Sequence, residues 1–241
     1  MSRRPKNTNR SHSSQRRQGP FSDPVVKIVR QLGRVYGPRP WRRWGRPLDG
    51  LIGTVLSQHT SDVNSDAAYR NLRRVFSTWR KVMLAKPTAV EHAIRCGGLA
   101  KQKTRSIQAI LGTLQADRGK LSLDFLALWP LQKAREYLLA LPGVGPKTAA
   151  CVLLFNLGKP ALPVDTHVHR LARRLGLIPE NASAEQAHEI LEAMCPPKLV
   201  YPFHVLLIQH GRQVCRARRP RCAECVLAGI CPSASATRPV R

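Results

Sequence analysis

The chain has 241 residues, which is long enough for one large or two small domains with a hydrophobic core of their own. Forty Lys and Arg against fourteen Asp and Glu give a formal net charge of +26, which favours nucleic acid over an anionic membrane as partner. Apolar residues make up 43% of the chain, so disorder of the whole chain is excluded. No apolar stretch is long enough to cross a membrane, so we expect a soluble protein without a membrane partner.

Residues 1–20 form a basic segment without any acidic residue. Because they contain almost nothing apolar, they cannot bury a core, and we predict a disordered tail that binds phosphates. A transit peptide would share this composition, but the apolar face of an amphipathic helix is missing. A secretory signal is excluded because no apolar segment follows the basic start. The basic residues are Arg3, Arg4, Lys6, Arg10, Arg16 and Arg17.

From Asp23 onward, apolar residues recur at helical spacing and strand-like alternation is scarce, which predicts an all-α fold. Pro and Gly clusters divide this part into roughly ten helices. The loop 37–47 between the first two helices contains two Trp and four Arg. We expect its tryptophans to cover the edge of the core rather than to stack on bases, and its arginines to add to the positive surface.

A glycine-containing turn lies between two predicted helices, 131–140 and 146–157. Gly143 and Gly145 permit a tight turn, and Pro146 suits the first position of the second helix. Free N–H groups at that helix start would bind a DNA phosphate, although an inert helical hairpin is the alternative. Lys147 follows in the first turn, where the helix dipole disfavours a charged amine. This makes it a candidate nucleophile, with a solvated surface charge as the alternative.

Asp165 precedes a helix whose buried face contains Val168 and Leu171. It is placed to cap that helix, and the alternative is a carboxylate beside a reaction centre. His167 and His169 lack a third ligand at metal spacing, so we expect them to form hydrogen bonds or to face a phosphate.

Seven cysteines are distributed unevenly, with four of them close together near the C-terminus. Their spacing is Cys-x6-Cys-x2-Cys-x5-Cys, which suits structural zinc or an iron–sulfur cluster, and spacing alone does not choose between them. The pattern favours a metal site in a reducing compartment, so we expect a cytoplasmic protein. No ligand position is left open, which indicates a structural or redox role. The four residues are Cys215, Cys222, Cys225 and Cys231.

The glycine turn, the Val-Asp-Thr-His segment and the cysteine spacing together resemble the endonuclease III family of helix-hairpin-helix DNA glycosylases with lyase activity. The resemblance covers about residues 21–231. It implies a six-helix domain, 47–159, that includes the hairpin, and a cluster domain formed by 21–46 and 160–241. It also implies that the four cysteines hold a 4Fe-4S cluster. We therefore expect a nucleoid-associated monomer that acts in base excision repair on double-stranded DNA containing a damaged base or an abasic site.

Carried over by position, the resemblance makes Lys147 the nucleophile and Asp165 the catalytic carboxylate. These residues would remove oxidised pyrimidines through a lysine Schiff base and β-elimination. Leu99 matches a residue that wedges into the base stack. The further expected DNA contacts are Gly143, Val144, Gly145, His167, Arg212, Arg216, Arg218, Arg219 and Arg221.

The sequence departs from the family in one DNA-contacting segment. Residues 56–62 read Leu-Ser-Gln-His-Thr-Ser-Asp where the family commonly has Leu-Ser-Ala-Gln-Ala-Thr-Asp. His59 thus replaces the gap-filling Gln, and Gln58 is shifted by one position. Which of the two fills the gap, and which opposite base is preferred, stays open.

Two other functions remain open. Adenine-specific mismatch glycosylases share the fold and the cluster, but they generally lack the lysine and have an additional C-terminal domain. The second alternative is a DNA-binding protein of the same fold without activity, which retention of both Lys147 and Asp165 disfavours.

Overall fold

The computed structural model describes residues 23–235, so the predicted basic tail, 1–20, lies outside it. The described residues are helical and contain no strand, which confirms the all-α prediction. None of these helices is both long enough and apolar enough to cross a lipid bilayer. The helices are α1 (Pro24–Tyr36), α2 (Pro47–Ser57), α3 (Asp62–Val75), α4 (Trp79–Leu84), α5 (Pro87–Ile94), α6 (Ala100–Arg118), α7 (Leu131–Leu139), α8 (Pro146–Cys151), α9 (Thr166–Arg174), α10 (Ala184–Met194), α11 (Val200–Gln213) and α12 (Pro232–Ser235).

Two separate hydrophobic cores are buried in the molecule. Helices α2 to α8 enclose the first core, which includes Leu51, Ile107 and Leu138. Helix α1 joins α9, α10 and α11 around the second, which includes Leu32 and Phe203. The chain therefore begins in the second core, builds the first and then returns.

Local sequence signals explain where the helices begin. The side chains of Asp23, Ser61, Thr78 and Ser183 each accept a hydrogen bond from a backbone N–H in the first turn of the helix that follows. Proline occupies the start of α1, α2, α5 and α8, where its missing N–H costs nothing.

The loop before α2 packs against a π-helical turn, Val152–Asn156, which continues α8. The indole Nε1 of Trp41 donates to the carbonyl oxygen of Leu154 at 2.7 Å, and the Trp44 ring stacks on Phe155 at 4.3 Å. The side chain of Asn156 donates to the Trp44 carbonyl oxygen at 2.8 Å. The tryptophans thus cover the edge of the core, as expected, and join the segment before α2 to the end of α8.

Candidate active site and cysteine loop

The turn between α7 and α8 forms the predicted helical hairpin. Gly143 adopts a φ of +76°, and a Cβ atom there would lie 2.7 Å from Ser106 Oγ, so this position requires glycine. Val144 is buried beneath the turn, whereas a Cβ atom at Gly145 would meet no atom within 4 Å. The turn is therefore anchored by Val144 and leaves open space at Gly145, where another molecule can approach the backbone.

Lys147 lies in the first turn of α8, directly after Pro146, and its side chain is exposed. Asp165 precedes α9, and one of its carboxylate oxygens accepts a hydrogen bond from the N–H of Val168 at 2.8 Å. The prediction that Asp165 caps this helix is therefore confirmed. A capping carboxylate is held in a fixed orientation, which a catalytic role also requires.

The charges of Lys147 and Asp165 act on the same two buried side chains. Burial raises the pKa of the Cys151 thiol to about 11, while Lys147 lowers it and Asp165 raises it. Burial likewise lowers the pKa of His204 to about 4, and the two charges again act in opposite directions. Residues eighteen positions apart in the sequence, on α8 and before α9, thus both lie near Cys151 and His204.

Two loops next to this region carry residues in the left-handed backbone conformation. His59 has a φ of 51° and is exposed, and Leu99 has a φ of 48° and is 50% exposed. With Arg219, they are the non-glycine residues between 23 and 235 that have a positive φ. Such a conformation is unfavourable for residues with a Cβ atom and occurs often at binding sites.

Gln58 and His59 have different surroundings although they are neighbours. The side-chain amide of Gln58 donates to Thr148 Oγ1 at 3.3 Å and to the carbonyl oxygen of Gly143 at 3.5 Å. It therefore contacts the hairpin beside Lys147, whereas the His59 side chain is exposed.

The four clustered cysteines line one cavity of about 230 Å³, together with Arg174 and Arg221. None of them forms a disulfide. Between residues 23 and 235, no three Cys, His, Asp or Glu side chains converge closely enough to bind a single metal ion. Four cysteines around one cavity provide thiolate donors for a metal centre, either zinc or an iron–sulfur cluster.

Comparison with known proteins identifies the family. Residues 52–197 match the model of the HhH-GPD superfamily of base excision DNA repair proteins. Residues 215–231 match the iron–sulfur binding domain of endonuclease III, so this match begins and ends on a cysteine of the cluster. The chain belongs to the endonuclease III family.

Individual relatives agree with this assignment. Endonuclease III from Thermotoga maritima is 38% identical over 77% of this chain and 82% of that protein. An Arabidopsis thaliana protein named as a DNA glycosylase is 41% identical over 68% of this chain, which spans 56% of that protein's length. A solved structure of a trapped endonuclease III–DNA covalent intermediate, an estranged-adenine complex, is 28% identical, with a TM-score of 0.76. That match covers 88% of this chain and 96% of the other.

The chain is accordingly a DNA glycosylase and abasic-site lyase of base excision repair that binds DNA and carries a 4Fe-4S cluster. The predictions of the family, the activity and the cofactor are therefore confirmed. Iron–sulfur clusters are bound by cysteine thiolates, and the donor set around the cavity fits one.

The cysteine segment of this chain is basic, and two arginines of α9 form hydrogen bonds with it. The guanidinium of Arg174 donates to Cys215 Sγ at 3.2 Å, to the carbonyl oxygen of Arg216 at 2.8 Å and to that of Ala217 at 3.1 Å. Arg170 donates to the Cys215 carbonyl oxygen at 3.0 Å. Sequence reasoning missed both arginines. Their spacing of four residues on a helix was the available signal, since it places them on one face.

The arginines predicted to contact DNA fall into two groups. Arg216, Arg218 and Arg219 have exposed side chains. Arg221 pairs with Glu224 at 3.1 Å, and Arg212 pairs with Asp62 at 2.7 Å. These two pairs are exposed and therefore weak, so a phosphate can replace either carboxylate at little cost.

The two histidines near Asp165 are bound to other residues of this chain. The Nδ1 atom of His167 accepts from Arg170 at 3.1 Å, and burial lowers the His167 pKa. A 2.9 Å hydrogen bond joins His169 Nε2 to the carbonyl oxygen of Ala182. His169 is thus engaged in the fold, in line with the expectation of a hydrogen-bonding role.

Proposed function

We propose that this protein removes oxidised pyrimidines from duplex DNA by a lysine Schiff base and then cleaves the strand by β-elimination. The observation that carries the proposal is the placement of the two groups: Lys147 is exposed at the start of α8, directly after the hairpin, and the Asp165 carboxylate is fixed at the start of α9 by the Val168 N–H. Both are close enough to Cys151 and His204 to influence their pKa values, and an amine and a carboxylate near the same side chains are suited to act together on one sugar. Further support comes from the similarity to a trapped covalent endonuclease III–DNA intermediate.

In the proposed reaction, the unprotonated amine of Lys147 attacks C1′ of the damaged nucleotide. The bond from C1′ to the base breaks, and its electron pair leaves with the base, which takes up a proton. The amine nitrogen then loses one proton, the bond from C1′ to the ring oxygen O4′ breaks, and O4′ takes up a proton, which leaves a protonated Schiff base between C1′ and the Lys147 nitrogen. This imine acidifies the C2′ proton, so that the proton is removed and the bond from C3′ to oxygen breaks. The strand is cleaved, and the phosphate leaves on the 3′ side.

Asp165 has two proposed roles, and both require its ionised form. It accepts a proton from the Lys147 ammonium group, and it stabilises positive charge on the sugar as the base leaves. Its hydrogen bond from the Val168 N–H engages one carboxylate oxygen, Oδ1. The other oxygen is then available to the substrate.

Gln58 and His59 have different surroundings, so we assign them different roles in DNA binding. We assign gap filling to His59 and Leu99, because both are exposed and both are held in the left-handed conformation. Gln58 contacts Thr148, the residue after Lys147. Its amide is therefore in a position to form hydrogen bonds with the edge of a base that enters beside Lys147.

The remaining predicted contacts serve to hold the DNA backbone. The hairpin, Gly143, Val144 and Gly145, would approach one phosphate through its backbone N–H groups. The exposed arginines of the cysteine loop, with Arg212 and His167, would contact phosphates further along. Cys215, Cys222, Cys225 and Cys231 would bind the cluster, which holds this loop in shape.

Borohydride trapping tests the proposal. Reduction of the imine during reaction with DNA that contains thymine glycol or an abasic site should yield a stable covalent complex. Lys147→Ala should abolish this complex but retain DNA binding, because one charge among forty basic residues contributes little to attraction. Lys198→Ala, which removes an exposed charge between α10 and α11, is the matched control and should trap as the parent does. Trapping by Lys147→Ala at parental yield would refute the nucleophile assignment.

A substrate panel separates the alternatives. Duplexes with a single thymine glycol, a single uracil or an adenine opposite guanine or 8-oxoguanine should be compared under single-turnover conditions. Preference for thymine glycol supports the proposal, whereas preference for the mispaired adenine would favour a mismatch glycosylase. Binding without excision of any base would indicate a protein without glycosylase activity.

A further inference from the structure

Three side chains hold the extended segment that leads into Asp165. Each forms a hydrogen bond with the backbone of a different residue among 162, 163 and 164. The N–H of Leu162 donates to Glu192 Oε2 at 3.4 Å, and the N–H of Val164 donates to His188 Nε2 at 3.2 Å. Between them, the carbonyl oxygen of Pro163 accepts from His204 Nδ1 at 2.9 Å. The segment is buried and belongs to no helix or sheet, so its backbone groups depend on these side chains.

The bonding pattern fixes the state of both histidines. A carbonyl oxygen can only accept, so Nδ1 of His204 carries a proton. A backbone N–H can only donate, so Nε2 of His188 is unprotonated and this ring is neutral. Burial lowers the pKa of both rings, which keeps them neutral at physiological pH. Protonation of His188 at Nε2 would convert its acceptor into a donor that faces another donor.

Glu192 extends this network to the hairpin. One of its oxygens accepts from Leu162, and the other is paired with Arg135 on α7, the first helix of the hairpin. The pair is mostly buried, with side-chain exposures of 27% for Arg135 and 20% for Glu192. A single carboxylate thus connects the element before Lys147 with the segment before Asp165.

We propose that His188, His204 and Glu192 are positioning residues that fix Asp165 relative to Lys147, and that protonation of His188 releases the segment. The inference rests on the proposed function, because it gives Asp165 a role in excision. A side chain held within a fraction of an ångström by a rigid surrounding network is what catalysis by a positioned carboxylate requires. The three residues would act through Asp165 and would not touch the substrate.

The charges around His188 determine when this release occurs. Glu185 and Glu192 on its own helix favour the protonated ring, whereas Arg135 from α7 disfavours it. His204 from α11 is also close enough for the two histidines to influence each other. Burial is the largest effect and opposes protonation. We therefore expect excision to be maintained near neutral pH and to decrease below the ordinary histidine range, about 6.5.

Two substitutions at His188 separate the hydrogen bond from the charge. His188→Gln keeps an acceptor near the position of Nε2 but cannot be protonated. It should excise at about the parental rate at neutral pH and lose part of the decrease seen on the acid side. His188→Leu removes the acceptor at every pH, so excision should fall about tenfold near neutral pH and differ less from the parent on the acid side, while affinity for an uncleavable abasic-site analogue is unchanged. Glu189→Leu, an exposed change at the next position of α10, is the control and should match the parent in both rate and pH profile.

A double-mutant cycle tests whether His188 acts through Asp165. If it does, adding His188→Leu to Asp165→Asn should slow excision by less than twofold, because the carboxylate is already absent. Additive effects, or a pH profile of His188→Gln identical to that of the parent, would overturn the inference. Borohydride trapping distinguishes failure of this inference from failure of the proposed function. If the parent traps through Lys147 but the His188 variants behave like the parent, the inference fails alone; if the parent does not trap, the proposed function fails.

Discussion

The Nζ atom of Lys103 donates a 2.7 Å hydrogen bond to the carbonyl oxygen of Leu56, near the end of α2. A second bond, of 2.9 Å, reaches the carbonyl oxygen of Gly97. Lys103 is 2% exposed, and burial lowers its pKa. One buried amine thus joins the two chain segments that lead into His59 and Leu99.

Lys103→Met should lower both the stability and the selectivity of the protein. Two buried carbonyl groups lose their partner, which should cost about 2–4 kcal/mol of unfolding free energy. The loops of His59 and Leu99 would also lose their common anchor, so affinity for abasic-site DNA should fall more than affinity for undamaged DNA. Thermal melts and binding titrations measure both effects. Lys101→Met, an exposed change on the same helix, should leave stability unchanged, and an equal result for the two variants would contradict the anchoring role.

His59→Gln should change the preference for the base opposite the lesion, because an amide and an imidazole offer different hydrogen bonds to that base. Leu99→Ala should instead slow excision with any opposite base, since it shortens the wedge. Single-turnover excision from four duplexes that differ only in the opposite base measures both. Leu128→Ala removes a leucine that is 90% exposed elsewhere and should have no effect. If both test variants match the parent, the gap-filling assignment is wrong.

Asp165→Asn should slow excision severely and leave the melting temperature nearly unchanged. Asparagine caps a helix about as well as aspartate, so only the negative charge is removed. Ser183→Ala is the complementary control, because it removes the cap of α10. That variant should lose about 1 kcal/mol of stability and keep the parental rate. An Asp165→Asn protein with the parental rate would reduce Asp165 to a cap.

Purified protein should contain about four irons per chain and absorb in the visible range. Cys222→Ser should lower the iron content and weaken DNA binding, because the arginine loop loses the cluster that shapes it. Cys96→Ser changes an exposed cysteine outside the loop and should retain both iron and affinity. Iron analysis together with binding titrations checks this. Unchanged affinity in an iron-free Cys222→Ser protein would show that the loop does not depend on the cluster.

Stability should decrease as the pH falls below about 6.5, because His204 is neutral in the folded protein. Its pKa is about 4 in the fold against 6.5 in the unfolded chain, so protons bind the unfolded chain first. The loss between pH 7 and pH 4.5 should reach about 2–3 kcal/mol for this residue. His204→Asn keeps a donor for the Pro163 carbonyl and should show a smaller loss. His92→Asn, at an exposed histidine, should lose as much as the parent.

The local sequence was sufficient to predict features that depend on neighbouring residues. Asp165 as a cap depends on Val168, three residues away, and the positive φ of Gly143 depends on the geometry of its own turn. The cysteine spacing likewise lies within seventeen residues. In each case, the residues that determine the structure are adjacent in the chain.

The sequence did not predict the side chains whose partners are distant. Lys103 is 47 residues from Leu56, and His204 is 41 residues from Pro163. In a chain with forty basic residues, a buried lysine has the same sequence signature as a solvated one. Its role depends on how α6 packs against α2, which is a property of the tertiary structure.

The three non-glycine residues with a positive φ, His59, Leu99 and Arg219, lower stability, whereas their side chains are proposed to bind DNA. An L residue in this conformation costs about 1–2 kcal/mol, which glycine would largely recover. Selection for heat resistance alone would therefore drive His59, Leu99 and Arg219 towards glycine, whereas selection for repair would retain their side chains. Directed evolution for heat resistance should therefore enrich glycine at these three codons, and directed evolution for repair activity should not. If these three residues contact DNA as proposed, higher stability and faster repair favour different residues at their positions.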